Sequence, residues 1–350
     1  MDIRSSLKIA FIYVASIIGA GFASGREIMN FFTHYYEGGF YGIIVASIIF
    51  SFIGCNVLYR VYTQRISKYD EFIVPLMGPK LSTMFEVFTM LFMLSIISVM
   101  TAGLSEVFFR FTELPRIIGS LIAVTVCVVF ILKDIKWILN LTSVISPIMV
   151  AGIMLTGLYI IITRDTSVFM SLGLLKKTVD NWIFSSLLYA GYNVITSAII
   201  LCNLLPYIKN VKTGMWGGIT GGIVIGAIAM VINIALYLSS SGSVMGELPV
   251  IDLVTANSIF FAKTYMMVLS LAMFTSLVTT SFCLTDRLKN IAKIDKKLVC
   301  LAMYLVLIPL SLMGFSDLIS ILYPAFGYIG LFLIITITAD TLRVSRGRGC

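Results

Sequence analysis

Apolar residues gather along the chain in ten runs, separated by short polar connections. The runs cover residues 7–34, 39–63, 82–109, 114–132, 135–162, 179–207, 213–239, 259–285, 297–314 and 317–341. A hydrocarbon core about 30 Å thick needs about 20 helical residues to cross it, so each run predicts one membrane-spanning α-helix. The longer polar stretches, 163–178, 239–258 and 286–296, leave no room for a soluble domain. The expected fold class is therefore an all-α membrane protein, a single polytopic domain over residues 1–350.

Composition agrees with this pattern. Hydrophobic residues make up 59% of the 350 and charged residues 12%, and mean hydropathy is +1.02. Ordinary globular chains run at about 45–50% and about 25%, so a soluble enzyme, a nucleic-acid binder and a disordered chain are all excluded. The net charge of +8 is spread unevenly. With the N-terminus placed in the cytoplasm, eighteen of the 25 basic residues fall on the cytoplasmic side, and only Arg110, Arg116, Arg164, Lys176 and Lys177 fall on the other. That bias predicts cytoplasmic termini and an even number of spans. The first run is too long for a cleaved signal and carries Arg26 and Glu27 where a cleavage region would lie, so it reads as a retained helix. Cys55, Cys127, Cys202, Cys283, Cys300 and Cys350 show no CxxC spacing, and His34 is the single histidine. No resident metal or organic cofactor is expected, and no enzyme constellation is visible.

Two runs are interrupted at their centres. Gly19-Ala20-Gly21-Phe22-Ala23-Ser24-Gly25 places three glycines in mid-membrane, followed directly by Arg26-Glu27. Tyr189-Ala190-Gly191-Tyr192-Asn193 occupies the matching place in the sixth run, about half a chain later. Five spans in each half insert with opposite orientation, predicting inverted repeats over about 7–162 and 179–341 with helices 1 and 6 broken at the midplane. Unwound backbone at that depth lines a polar cavity or is buried in protein. On this reading the amides of Ala23 to Gly25 meet a solute carboxylate, carbonyls from Gly19 to Phe22 coordinate a cation, and Phe22, Tyr189 and Tyr192 wall an apolar group. The alternative for each glycine motif is close helix packing.

The Gly19–Phe22 motif resembles the glycine motif in the first helix of the amino acid–polyamine–organocation superfamily, and Tyr189–Asn193 is similar to that superfamily's sixth-helix break. The longer string Gly19 to Glu27 more closely resembles a small family of bacterial amino acid permeases of unassigned substrate. The resemblance implies the five-plus-five inverted-repeat fold of the leucine transporter type, a bacterial plasma membrane, and alternating-access transport of a small amino acid or related amphipathic solute. Asn193 departs from the acidic residue that many superfamily members carry there. In sodium-coupled relatives, hydroxyls of helix eight and carbonyls of helix one hold sodium; Thr275 and Ser276 are the matching positions, with Thr279 one turn on and Ala20 on helix one. The coupling ion is thus sodium or a proton, with Glu27 the acceptor in the second case. Spore-germination receptor subunits share this length and span number, so a solute-sensing receptor without net transport is the alternative.

Other polar residues read more plainly. Glu106 lines an outer vestibule or snorkels to water, the latter favoured, Glu86 and Asp340 sit at cytoplasmic interfaces, and Asn140 and Asn233 hydrogen-bond between helices. Pro147, Pro309 and Pro324 are candidate kinks.

Overall fold

The computed structural model describes residues 2–131, 135–163, 181–239, 246–292 and 296–346. Arg164, Lys176, Lys177, Lys133, Lys293, Arg348, Cys350 and the side chain of Asn140 lie outside the described residues. The first span is three helices in line, α1 (Ile3–Ile17), α2 (Ala20–Ala23) and α3 (Arg26–Phe31). After a 3-10 turn at Thr33–Tyr35 come α4 (Glu37–Thr63), α5 (Tyr69–Thr112), α6 (Arg116–Ile131) and α7 (Ile135–Thr163). The second half holds α8 (Trp182–Cys202), α9 (Val211–Ser239), the short connecting helix α10 (Pro249–Asn257), α11 (Ile259–Ala292), α12 (Lys296–Ser311) and α13 (Phe315–Arg346). No strand occurs among the described residues.

Helices α4, α5, α8, α9, α11 and α13 are each long and apolar enough to cross a membrane. Apolar stretches of α6, α7 and α12 are shorter, and the broken first span completes the ten that the hydropathy pattern predicts. This is a multi-pass membrane protein. Along α4, Tyr41, Ile44, Ile48 and Phe52 form one exposed stripe, while Phe50, Ile53, Val57 and Val61 on the other side are buried. The exposed stripe suits lipid as its solvent. At 44 residues α5 exceeds any single crossing, and it bends at Gly78 (φ 75°, ψ 166°) between Pro75 and Pro79. The turns before that bend precede the span proper. Pro147, Pro309 and Pro324 sit inside continuous helices.

Small residues decide which helices touch. Gly218, Gly222 and Gly226 recur every fourth residue on α9, and a Cβ on them would fall 2.3 Å from the Gly54 carbonyl carbon, 2.3 Å from the Ser51 amide and 2.5 Å from Ser47. The backbones of α4 and α9 are therefore in direct contact, which is how membrane helices gain van der Waals energy without a hydrophobic driving force. Tyr13 of α1 lies against Gly54 and Gly221 and donates its hydroxyl to the Phe50 carbonyl at 2.9 Å, setting α1 beside this pair. At the face carrying the termini, Asp2 pairs with Lys209 and Ser6 donates to the Thr213 carbonyl at 3.1 Å.

The sixth helix corrects one expectation. α8 runs unbroken from Trp182 to Cys202, through the Tyr189–Asn193 motif. Gly191 meets α13 instead of opening the helix: its Cβ would stand 2.4 Å from the Gly327 carbonyl oxygen, and a Cβ on Gly330 would stand 2.0 Å from that of Gly191. Here the glycine permits close helix packing, and the intrahelical hydrogen bonds survive.

Candidate functional site

The break in the first span is where backbone geometry departs from helix in mid-membrane. α1 ends at Ile18 (ψ 92°), Gly19 is extended (φ −102°, ψ −171°), and Gly25 takes the left-handed conformation at φ 80°. A side chain at Gly25 would also strike Val250 at 2.6 Å, so conformation and space both require glycine there. A Cβ on Gly19 would meet open space.

Between these two points the chain re-forms a single helical turn, and that turn consumes most of the polar groups expected to bind ligand. The Ala23, Ser24 and Gly25 amides donate to the carbonyls of Gly19, Ala20 and Phe22 at 2.9, 2.8 and 3.0 Å. Gly21 takes the Ser24 hydroxyl at 2.9 Å. In this structure the Ala23–Gly25 amides expected to meet a solute carboxylate, and the carbonyls from Gly19 to Phe22 expected to meet a cation, are hydrogen-bonded within the turn. In a medium without water, a segment that can close a turn on itself does so. The Ile18 carbonyl, one step earlier, takes no backbone donor.

Glu27 occupies the space this turn leaves. It is 4% exposed, and its Oε1 lies so close over Gly21 that a Cβ there would come within 2.1 Å of it. The Tyr192 hydroxyl donates to Oε2 at 2.6 Å, and the Phe22 amide faces the carboxylate. Among the described residues no lysine, arginine or histidine forms an ion pair with it. Arg26, its neighbour in sequence, turns the other way and donates to the Gly246 carbonyl at 3.3 Å.

Tyr192, which holds this carboxylate, belongs to an aromatic cluster. Tyr192 has ring centroids of Tyr323, Phe31, Tyr189 and Phe92 at 4.8, 5.6, 5.6 and 6.1 Å. The Tyr189 hydroxyl is buried without a partner. Phe31 forms both a wall of this cluster and the floor of a cavity of about 440 Å³, lined also by Arg26, Asn30, His34, Ser185 and Ser320. That cavity lies on the side away from the termini, and Phe31 lines it while packing on Tyr189 and Tyr192.

Asn193 was expected at the site as well, but its amide donates to its own helix at the Tyr189 carbonyl, 3.0 Å away. Gly191 lies on the α13 side of α8. Helix α11 reaches the break through Tyr265, whose hydroxyl donates to the Ala23 carbonyl at 2.6 Å. Further along α11, Thr275 is buried and donates to the Ala272 carbonyl at 2.9 Å, while Ser276 and Thr279 are half-buried. Tyr265, Phe31 and Tyr323 are the participants that sequence reasoning missed. Each is one aromatic among 24 phenylalanines and 16 tyrosines, without a local signal to raise it above the rest.

On the far side, α10 sits over the break. The Val250 amide donates to the Ser24 carbonyl at 3.0 Å, and Asp252 pairs with Arg110 at 2.6 Å. Glu106 does not snorkel: at 4% exposure it pairs with Arg110 at 2.9 Å and Arg116 at 2.7 Å, since a buried carboxylate needs partners that a lipid interface would not supply. Asp340 pairs with Arg60 at 2.5 Å, Glu86 with Arg287 at 3.6 Å, and Asn233 accepts from Thr33 at 2.8 Å.

No family model matches the chain. It is 27% identical over 332 residues to YyaD, an uncharacterized protein of Bacillus subtilis, with 95% of this chain and 96% of that protein aligned. With YkvI, an uncharacterized membrane protein of the same organism, identity is 25% over 344 residues and 94% of each chain. Among solved structures, a mutant of the Eremococcus coleocola manganese transporter superposes with a TM-score of 0.63 at 14% identity, over 95% of this chain and 78% of that one. A Na+-coupled sialic acid symporter in its substrate-bound outward-open state gives 0.62 at 12% identity, over 95% and 89%. MhsT in complex with L-phenylalanine gives 0.60 at 11% identity, over 94% and 87%. At such identities the likeness is one of architecture, and the architecture is that of the leucine-transporter-type fold.

Proposed function

We propose that this chain is a secondary transporter, moving a small amphipathic solute related to the amino acids across a bacterial plasma membrane by alternating access. The observation that carries the reading is the broken first span, whose extended and left-handed residues lie close to a buried carboxyl group that has no ion-pair partner among the described residues. Such expensive features in mid-membrane mark solute or ion pathways. The resemblance of Gly19–Glu27 to the permease motif and the transporters among the superposed structures support the same reading. Both termini lie in the cytoplasm on the charge bias, which makes the cavity beside Phe31 an outward-facing vestibule.

The driving ion is sodium or a proton. For sodium, the ligands are the Ile18 carbonyl with the hydroxyls of Thr275 and Ser276, oxygen donors suited to a hard cation. For a proton, Glu27 is the acceptor. Uptake of a mixed pool of labelled amino acids and their amines into proteoliposomes, under sodium and proton gradients imposed separately, tests both. Accumulation under one gradient is the expected result. Saturable binding without accumulation under either would refute transport and favour the receptor.

A further inference from the structure

A second cavity, of about 500 Å³, lies where α4, α9 and α13 meet the first turns of α5. Met215 on its wall stands two residues beyond Thr213, whose hydroxyl takes the Asp2 amide at 3.2 Å, so the cavity is at the face carrying the termini. Cys55, Tyr59, Phe72, Met215 and Ile337 give it a largely apolar wall. Most polar side chains on the lining are spent within their own helices. Asn56 donates to the Phe52 carbonyl at 2.7 Å, Thr63 to that of Tyr59 at 2.9 Å and Thr341 to that of Ile337 at 2.8 Å. Arg60 and Asp340 differ. Arg60 Nη1 meets Asp340 Oδ2 at 2.5 Å and its Nε donates to Gln64 Oε1 at 2.8 Å, with the guanidinium 5.5 Å from the centre of the Phe72 ring. Among the described residues Arg60 Nη2 donates to nothing and Asp340 Oδ1 accepts from nothing, and neither atom is sealed from solvent. The cavity thus holds one open donor on a cation beside one open acceptor on an anion.

The same cavity continues the lipid-facing side of α4. Tyr41, Ile44, Ile48 and Phe52 form the exposed stripe, and Asn56, Tyr59 and Thr63 carry it on, three or four residues at a step, into the lining. From Tyr41 to Phe52 the helix rises about 16 Å, about half the depth of a hydrocarbon core. A ligand lying against both surfaces is therefore one leaflet long, apolar along the stripe and polar in the cavity. We infer that the cavity is a binding site for a glycerophospholipid whose head carries both a phosphate and a primary ammonium group, as in phosphatidylethanolamine. The phosphate accepts from Arg60 Nη2, and the ammonium donates to Asp340 Oδ1. A head with phosphate alone brings net negative charge to a pair that is already neutral, and a quaternary ammonium has no N–H to give Asp340. The cavity has the volume of a small-ligand site, so it takes the head and glycerol while the acyl chains follow α4 outside. Once bound, the lipid bridges α4 to α13 beside the ion pair. The site shares no residue with the Gly19–Gly25 break or Glu27, and it does not rest on the transporter reading.

The test uses the purified full chain, stripped of lipid in detergent, and lipids of identical acyl chains bearing ethanolamine, choline or glycerol heads. Native mass spectrometry measures the bound lipid. The maleimide labelling rate of Cys55, a half-buried thiol on the cavity wall, reports where it sits. The ethanolamine lipid is expected to bind saturably, about tenfold more tightly than the other two, which is the worth of one charge-assisted hydrogen bond. It is also expected to slow labelling of Cys55. Asp340→Asn should erase the preference for ethanolamine over choline, and Arg60→Gln should weaken both. Equal binding of the three lipids, or tightest binding of the glycerol lipid, would overturn the inference. So would an ethanolamine preference that leaves Cys55 labelling unchanged or that survives in Asp340→Asn. The lipid comparison and the Cys55 readout are made on the wild-type chain, so they stand even where a variant does not fold.

Discussion

Gly191→Ala separates two roles that a glycine in the sixth helix can play. In the structure its Cβ would be placed 2.4 Å from the Gly327 carbonyl oxygen, about 1 Å inside ordinary contact, and the listener on the other side is backbone that cannot rotate away. α8 and α13 must therefore separate by several tenths of an ångström along their shared face, losing dispersion contacts over more than one turn. Overpacking of this kind costs about 1–3 kcal/mol. For a chain of this size that corresponds to a fall in melting temperature of several degrees, at about 2–4 °C per kcal/mol. The assay is thermal unfolding of purified protein in detergent, followed by intrinsic fluorescence or size-exclusion retention. Gly330→Ala, whose Cβ would come 2.0 Å from the Gly191 carbonyl oxygen, should cost as much alone. Combined with Gly191→Ala it should cost less than the sum, because helices already parted accommodate a second methyl group more cheaply. An unchanged melting temperature for Gly191→Ala, together with lost solute binding, would refute the packing role and restore an opened sixth helix.

Two further outcomes follow from ion pairs. Arg110→Gln strips Asp252 of its partner and leaves the buried Glu106 with Arg116 alone; unfolding should occur earlier by about 1–3 kcal/mol after allowance for partial exposure, and amide hydrogen exchange in α10 should quicken, whereas unchanged exchange would show that α10 is held by Val250 instead. At the N-terminus, hydrogen bonds from Lys209 and from the Ser5 amide hold the Asp2 carboxyl at about 2, below its ordinary 3.8. A depressed folded pKa stabilises above the unfolded value and is lost as pH falls toward 2, so the tie between Asp2 and the Lys209–Thr213 connection should persist at pH 5 and vanish between about pH 4 and 2. Asp2→Asn should remove that acid dependence from hydrogen exchange of the first turn of α1.

Span count, helix type and the break at Gly19–Gly25 were legible because each has a local cause. A run of about 20 apolar residues needs no partner to be recognised, and three glycines in seven residues weaken a helix wherever they stand. The glycines of α8 and α9 carry the same letters with another meaning. Whether Gly191 opens its helix or admits a neighbour depends on Gly327 and Gly330, more than a hundred residues away, and periodicity holds no trace of that pairing. Asn233 was legible as an interhelical bond, though its partner Thr33 was not. Glu106 was misread because two arginines, one of them ten residues on, convert an interfacial side chain into a buried one. The site shows the same division. Glu27 and Tyr192 stand out singly, but that one holds the other at 2.6 Å is a fact of tertiary structure.

An unbroken α8 facing a jointed first span gives the molecule one stiff wall and one articulated wall. A continuous helix of 21 residues passes a push at one end to the other almost undiminished, whereas the extended residue Gly19 and the left-handed Gly25 let α1 and α3 pivot separately. The lower arm is tied by Asp2 and Ser6 to Lys209 and Thr213, and the upper arm is braced by Val250 at Ser24. The two arms are therefore anchored to different parts of the molecule, and the carboxylate of Glu27 lies beside the joint between them, over Gly21.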